Sequence, residues 1–278
     1  MTFFESTTSS DSSPVKLEYV DYGEGSPVVL VHGWPLSYRM WEDQFEALVN
    51  AGHRVIAYTR RGFGGSDKPW TGYDYDTLTE DLRNLVVGLD LNDAALVGFS
   101  MGGGEVARYF GNYGSDRVSK AALVSAVTPL MYRADDNPEG VPEETLNGMM
   151  EAMTADRPKF LASFGLDFFS VDSKDNDVVS GEFIEYLHTI ANFASGRATR
   201  ECAKAFGGTD WRPDMPKIDV PTLVVHGTAD QVVPIETAGD QAAEMIADSR
   251  YEKIEGAPHA LNHSHKDQFN EILVDFLS

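Results

Sequence analysis

The segment Ala94–Gly104 constrains the fold of this chain most strongly, because an apolar run ends at a serine with a glycine two positions to either side. The run predicts a buried strand, and Glu105–Phe110 begins a helical pattern, so Ser100 is expected at the apex of a tight strand-to-helix turn. A nucleophile on such a turn has a strained backbone, and its close neighbours must lack a Cβ atom. The amides that begin the next helix would lie beneath Ser100 and could stabilise negative charge. Taken alone, the pattern also fits an ordinary glycine-rich turn.

Strands and helices are predicted to alternate on both sides of this turn. Continuously apolar segments predict strands buried on both faces, and apolar residues every three to four positions predict helices. The predicted strands are 16–22, 27–31, 54–58, 94–99, 121–127, 221–225 and 251–254, preceded by a loose strand or a frayed arm within residues 1–13. The predicted helices among them are 38–50, 75–89, 236–246 and 265–277. This alternation is typical of an α/β protein with a doubly wound, mostly parallel sheet.

The alternation stops after Thr128, where helical stretches replace the strands. The clearest of these cover residues 143–153, 160–169 and 183–193. We therefore predict a core domain of residues 1–128 and 216–278, with a helical cap of residues 129–215 inserted after the sixth strand. The cap aromatics Phe160 and Phe164 either pack the cap onto the core or line an apolar substrate pocket.

The charge balance argues against several kinds of partner. Forty-four acidic and 22 basic residues give a net charge of −22, which would repel nucleic acid and anionic membranes. The dense carboxylates are either an ordinary well-solvated surface or a halophilic feature suited to a high-salt cytoplasm. Cys202 is the single cysteine, so no intrachain disulfide can form. Residues 1–13 do not resemble a signal peptide and no apolar run reaches 18 residues, so we expect a soluble, cytoplasmic protein, with homo-oligomerisation left open.

Three chemically complementary residues follow predicted strands at their carboxyl ends. Ser100, Asp230 and His259 occur in the chain order that α/β-hydrolases use, and loops at this edge of a parallel sheet converge. A serine hydroxyl needs a base within reach and a carboxylate that orients the base. His259 would take the Ser100 proton and return it to the leaving group, while Asp230 would hold the correct tautomer of His259.

The other histidines are weaker candidates for this chemistry. His32 and His226 each follow a buried strand, and we interpret both as structural residues that hydrogen-bond neighbouring loops. His265 is expected to start the last helix and His263 to lie in the preceding loop. A metal site formed by His263 and His265 would lack an obvious third ligand.

The oxyanion formed by such a serine needs two backbone N–H donors that point to one position. The amide of Met101 is one candidate. The loop after Val31 supplies the other, for which we choose Trp34, because Pro35 has no N–H group. Pro35 and Phe99, which adjoin the candidate donor and the candidate nucleophile, are included with Phe160 and Phe164 as candidate substrate contacts.

Five segments resemble one known family: HGWP at 32–35, RRGFG at 60–64, GFSMGGGEVARY at 98–109, HGTAD at 226–230 and GAPH at 256–259. They are similar to the cofactor-free haloperoxidases of the α/β-hydrolase fold, also called non-haem chloroperoxidases or perhydrolases, a group that includes aryl esterases and γ-lactamases. The resemblance spans nearly the whole chain and is weakest before Val15 and between about residues 169 and 208. It implies a triad of Ser100, Asp230 and His259, oxyanion donors at Trp34 and Met101, and no metal, haem or other cofactor.

The resemblance further implies a serine esterase that also forms peracids, with small esters and hydrogen peroxide as its partners. Pro35 is either a turn-forming residue or shifts the Trp34 carbonyl next to the oxyanion hole, where it would accept a hydrogen bond from an attacking peroxide. Hydrolysis of γ-lactams or lactones is the alternative within the same mechanism, and C–C bond hydrolysis a more distant one. A haloalkane dehalogenase is disfavoured, because it uses an aspartate where this chain has Ser100. A non-catalytic ligand receptor on the same fold is the alternative outside enzymes.

Overall fold

An eight-stranded sheet lies at the centre of the protein in the computed structural model, which describes residues 2–10, 13–174 and 176–278. The strands are β1 Thr2–Ser6, β2 Val15–Tyr22, β3 Ser26–Val31, β4 His53–Tyr58, β5 Ala94–Phe99, β6 Val118–Val124, β7 Thr222–Gly227 and β8 Ser249–Ile254. Their order across the sheet is β1-β2-β4-β3-β5-β6-β7-β8. Strand β2 pairs antiparallel with β1 and β4, and the other neighbours pair in parallel. The predicted doubly wound, mostly parallel α/β sheet is confirmed.

The core helices flank the sheet. They are α1 Glu42–Asn50, α2 Tyr75–Gly88, α3 Met101–Tyr113, α7 Gly239–Met245, α8 Leu261–Ser264 and α9 Lys266–Leu277. Helix α1 packs against α8 and α9, whereas α2 packs against α3. All six residues of β5 are buried, which explains why the central strands are continuously apolar in sequence.

Among the described residues, three helices lie between β6 and β7, where the cap was predicted. They are α4 Glu143–Asp167, α5 Gly181–Asn192 and α6 Gly196–Gly208. Helix α4 is broken at Asp156, whose φ of −156° and ψ of 87° are not helical and whose side chain caps the amide of Lys159. The two predicted helices over this region therefore correspond to the two halves of α4. The limits of the core and the cap stay a prediction.

Several boundaries differ from the sequence prediction. Strand β6 ends at Val124 rather than at residue 127, because Ser125 takes a positive φ of 44° and turns the chain out of the sheet. Helix α6 was not predicted, since small or polar side chains such as Ala198 and Cys202 occupy much of its buried face. His263 was wrongly placed in a loop: it lies in α8, and its Nδ1 is 2.9 Å from Asp43 Oδ2.

Among the helices of the described residues, none combines the length and the apolar character needed to cross a lipid bilayer.

Candidate active site

Ser100 lies between the end of β5 and the start of α3, at the tight turn expected from the sequence. Its φ of 52° and ψ of −119° are unusual for a residue with a side chain. A Cβ at Gly98 would collide with the Gly102 carbonyl, and a Cβ at Gly102 would collide with the Val31 carbonyl. The two glycines that flank Ser100 are therefore required by backbone packing, and they leave the serine hydroxyl at the carboxyl edge of the sheet.

The structure brings Ser100, His259 and Asp230 into one hydrogen-bonded row. His259 Nε2 is 3.0 Å from Ser100 Oγ, and His259 Nδ1 is 2.7 Å from Asp230 Oδ2. All three residues are buried. They follow β5, β8 and β7, parallel strands of the same half of the sheet whose carboxyl ends lie at one edge, with β6 between β5 and β7. In this arrangement Nδ1–H donates to the carboxylate, so Nε2 can accept the hydroxyl proton of Ser100.

The Asp230 carboxylate is held in its ionised form. Burial raises its pKa, but the neighbouring His259 and His226 outweigh that effect and leave the pKa well below the usual range of an aspartate. Its Oδ1 also accepts backbone hydrogen bonds of 2.9 and 2.8 Å from Val232 and Val233. A persistent negative charge on this group would stabilise a positive charge on His259 during proton transfer.

The ring of His259 is fixed by two aromatic neighbours. Its centroid is 5.0 Å from that of Phe99 and 5.1 Å from that of Phe168. Phe99 is completely buried and also packs against Trp41, so it supports His259 from behind. Phe99 was predicted to contact substrate; its side chain lies in the core and is not among the residues that line the cavity described below.

The loop after β3 packs directly against Ser100. A Cβ added at Gly33 would lie 3.2 Å from the Ser100 Cβ. The Gly33 carbonyl accepts hydrogen bonds from Leu36 N–H at 3.1 Å and from His32 Nδ1 at 2.8 Å, so the Trp34 N–H, which is trans to that carbonyl, points the opposite way. Met101 is the first residue of α3, and its N–H has no acceptor within the helix. The Trp34–Pro35 peptide is cis.

The buried ion pair of Arg60 and Glu105 contacts this loop through His32. Arg60 Nε donates to Glu105 Oε1 at 2.6 Å, and Tyr58 Oη donates to Glu105 Oε2 at 2.7 Å. Arg60 also donates to the His32 carbonyl at 2.7 Å through Nη2 and to His32 Nε2 at 2.9 Å through its backbone amide. Burial raises the pKa of Glu105, and Arg60 opposes this rise. This pair was not predicted from the sequence, although a charged residue among the glycines and apolar residues of α3 is a signal for a buried partner.

A cavity of about 270 Å³ opens between Ser100 and the cap. Its wall is mostly apolar, and its polar members besides Ser100 are Thr145, Asp167 and Gln231. Most of its apolar wall comes from residues of the cap and the nearby loops: Val127, Met131, Val141, Leu146, Met149, Phe160, Phe164, Phe206, Val232 and Val233.

The candidate contacts Phe160 and Phe164 lie on the wall of this cavity, together with the side chain of Trp34. Pro35 does not line this cavity. It borders a separate void of about 20 Å³ together with Leu161 and Leu187. The cap aromatics thus both line the cavity and pack onto the core, since the Phe164 ring is 5.1 Å from the Trp34 ring. Of the four candidate substrate contacts, two face the cavity beside Ser100.

Comparison with known proteins agrees with this geometry. Residues 26–266 match the family described as alpha/beta hydrolase fold. The chain is 42% identical to the non-heme chloroperoxidase of Kitasatospora aureofaciens, over 95% of this chain and 96% of that protein. It is 34% identical to the bifunctional esterase/perhydrolase of Acinetobacter calcoaceticus, again over 95% and 96%. The bromoperoxidase from Bacillus anthracis superposes with a TM-score of 0.93 at 46% identity, over 99% of each chain.

A family match over most of the chain and relatives this similar across their full length confirm the resemblance carried by the sequence motifs. The chain belongs to the alpha/beta hydrolase fold family, as an enzyme related to the non-heme chloroperoxidases.

Proposed function

We propose that the protein is a serine hydrolase that cleaves small carboxylic esters through an acyl-enzyme on Ser100. The observation that carries this proposal is the buried row of hydrogen bonds from Ser100 through His259 to Asp230. His259 removes the hydroxyl proton as Ser100 Oγ attacks the ester carbonyl, and the same proton then passes to the departing alcohol. Asp230 stabilises the charged histidine between these two transfers.

Two backbone amides would stabilise the tetrahedral intermediate. The Trp34 N–H belongs to the loop after β3, and the Met101 N–H belongs to the first residue of α3. Loss of one such donor typically costs about 3–4 kcal/mol of transition-state stabilisation. Because both donors are backbone groups, the loop geometry held by His32 and Arg60 matters more than the identity of either side chain.

The second half of the reaction regenerates Ser100. Water attacking the acyl carbonyl breaks the Ser100 Oγ–acyl bond and releases a carboxylic acid. Hydrogen peroxide attacking the same carbon releases a peracid instead, and that peracid can oxidise halide after leaving the protein. The relatives named as a chloroperoxidase and an esterase/perhydrolase support this second route.

The cavity favours small neutral acyl groups. Its volume of about 270 Å³ and its mostly apolar wall suit a short aliphatic or aryl group better than a charged one. A panel of p-nitrophenyl esters, run with and without hydrogen peroxide and extended to lactones and γ-lactams, would define the range of substrates.

Replacement of the nucleophile tests the proposal. Ser100→Ala should lose on the order of 10⁴–10⁶ in kcat on p-nitrophenyl acetate, because it removes the hydroxyl that forms the acyl-enzyme. A fluorophosphonate that labels activated serines should modify the wild type and leave Ser100→Ala unmodified.

The matched control is Ser125→Ala, which removes a buried hydroxyl just after the neighbouring strand β6 that has no hydrogen-bond partner among the described residues. This variant should keep its activity and its labelling. Full activity in purified Ser100→Ala protein would refute the assignment.

Pro35→Leu tests the peroxide route separately. We expect the ratio of perhydrolysis to hydrolysis to fall, because the Trp34 carbonyl would no longer be held where it can accept a hydrogen bond from peroxide. Both rates are measured on one ester, with peracid trapped by a halide-dependent colour reaction. An unchanged ratio would show that Pro35 only shapes the turn.

A further inference from the structure

The Asp230 carboxylate has a second histidine neighbour besides His259. His226 lies in β7, one residue before the strand ends, and is 1% exposed. Its Nε2 is 2.9 Å from the Val233 carbonyl oxygen and 3.2 Å from Asp230 Oδ2. The sequence had indicated only a structural residue that hydrogen-bonds a neighbouring loop.

The surroundings of His226 determine where its proton lies. A carbonyl oxygen and an ionised carboxylate oxygen both accept hydrogen bonds and have no hydrogen to donate. The Nε2 atom that faces both must therefore carry the proton, and it donates to Val233 while its positive edge lies against Asp230. The ring has little freedom to turn away, because a Cβ added at Gly239 in α7 would lie only 2.9 Å from His226 Nδ1.

The hydrogen bonds of the Asp230 carboxylate indicate how His226 can affect it. Oδ1 is occupied by the amides of Val232 and Val233, so rotation of the carboxylate is restricted on that side. Oδ2 is shared between His259 Nδ1 at 2.7 Å and His226 Nε2 at 3.2 Å. A buried carboxylate oxygen with fewer donors would be a stronger acceptor and would be freer to move.

We propose that His226 is a positioning residue of this site, which holds the Asp230 loop through Val233 and limits how strongly Oδ2 attracts the proton of His259. The inference rests on the proposed serine hydrolase function for its kinetic consequences, but its geometric part does not depend on catalysis.

Among the described residues, the test changes only His226 of the groups that face this site. Asp230 faces His226 and His259, and Ser100 faces the far nitrogen of His259. Asp240 in α7 interacts electrostatically with His226 and is itself bonded to Lys253, while Asp167 at the end of α4 lines the cavity.

The direction of the effect follows from this arrangement. Without the His226 donor, Oδ2 attracts a positive His259 more strongly, so protonation of His259 becomes more favourable. Catalysis requires neutral His259 as the base, so the acidic limb of the pH–rate profile should move to higher pH. A residue that only fills space would lower activity without moving that limb.

Two replacements of His226 separate the donor from the packing. His226→Gln keeps a donor at nearly the same distance from the backbone, whereas His226→Met keeps the approximate volume without a donor. We expect His226→Met to lose roughly 10–100-fold in kcat/KM and to shift the acidic limb upward by about 0.5–1 pH unit. His226→Gln should keep most of the wild-type activity, and the acidic limb of its pH–rate profile should lie at the wild-type pH.

His53→Met is the matched control, since it removes a buried histidine from β4 that contacts none of these groups. It should leave the pH profile unchanged.

The inference is overturned if the kcat/KM of His226→Met stays within twofold of the wild-type value and the acidic limb of its pH–rate profile does not move. It is equally overturned if both His226 variants lose the same activity and neither limb moves. If His226→Met does not fold, Gly239→Ala can replace it, because the added methyl group displaces the His226 ring while the imidazole is retained. An unchanged acidic limb of the pH–rate profile in Gly239→Ala would then overturn the inference.

A spectroscopic arm keeps this test separate from the proposed function. The strongly downfield proton resonance of His259 Nδ1–H bonded to Asp230 can be followed by NMR whether or not an ester is cleaved. It should shift in His226→Met and remain near its wild-type position in His226→Gln. An inactive wild type with that pattern would refute the hydrolase function alone, and an unshifted resonance in His226→Met would refute the role of His226 alone.

Discussion

Asp167 is the one charged side chain on the wall of the cavity among the residues that the structure describes. It is the last residue of α4, and partial burial raises the pKa of its carboxyl. Above that pKa the group is negative and repels a negative acyl chain. Because Asp167 is still exposed to solvent, water and salt weaken this repulsion, and we expect selectivity and not complete exclusion.

Asp167→Asn should therefore change charge selectivity with little effect on neutral esters. We compare kcat/KM for a p-nitrophenyl ester with a terminal carboxylate and for a neutral ester of the same length. The ratio of anionic to neutral substrate should rise by about 5–10-fold at low ionic strength, and less in high salt. Glu151→Gln, an exposed site on the same helix that does not line the cavity, should leave the ratio unchanged. Equal ratios in wild type and Asp167→Asn would contradict this role.

At the scale of secondary-structure elements, the Trp34 side chain connects the loop after β3 with the cap. Its Nε1–H donates to the Thr199 carbonyl in α6 at 2.9 Å. Its ring lies 5.1 Å from that of Phe164 in α4 and 5.6 Å from that of Phe206 in α6. The residue whose backbone is the candidate oxyanion donor is thus held by two cap helices, so a shift of the cap would also displace the donor.

Trp34→Phe tests this connection while keeping an aromatic ring. Loss of the N–H donor and of part of the packing should lower the free energy of unfolding by about 1–2 kcal/mol. We also expect a lower kcat/KM, because the loop is less well held. Thermal unfolding and ester hydrolysis measure the two effects. Trp70→Phe makes the same change at a residue that is 74% exposed and should alter neither quantity; similar effects at the two sites would argue against a specific role for the Trp34 contacts.

The elements differed in how well they could be predicted. Strands such as β5 were predicted correctly because burial on both faces leaves a continuous apolar run. The end of β6 was missed because Ser125 leaves the sheet within an apolar sequence, where composition does not mark the turn. Helix α6 was missed because its buried face is rich in small side chains, which fit against the core but give a weak apolar period.

At the scale of the whole molecule, electrostatic repulsion is the main feature not explained by the site. The acidic residues exceed the basic ones by 22, because there are 44 of the former and 22 of the latter. Several arginines are already paired with carboxylates, including Arg54 with Asp21 and Arg212 with both Asp136 and Asp210. The excess negative charge should destabilise the folded chain at low ionic strength.

Added salt should consequently stabilise the protein. Screening of this repulsion by about 2–3 kcal/mol would raise Tm by about 5–10 °C, with most of the gain below roughly 0.3 M. Calorimetry in sodium chloride and in sodium sulfate at equal ionic strength measures this rise in Tm. If screening is the cause, Tm should depend on ionic strength in the same way for both salts at low concentration. A halophilic enzyme would also keep its ester hydrolysis in concentrated salt. A Tm that falls with chloride, or activity lost in concentrated salt, would contradict the respective expectation.

The amino-acid sequence by itself determined the sheet, the serine turn and the three loops that meet at one edge. Glycine spacing, strand periodicity and chain order report local backbone conformation, and the rules of parallel sheets convert that order into proximity. The tertiary structure alone decided which side chains touch. His226 lies against Asp230, Phe99 packs behind His259, and Pro35 lies away from the cavity beside Ser100. Such contacts depend on how helices and loops distant in sequence pack around each side chain, and no local pattern encodes that packing.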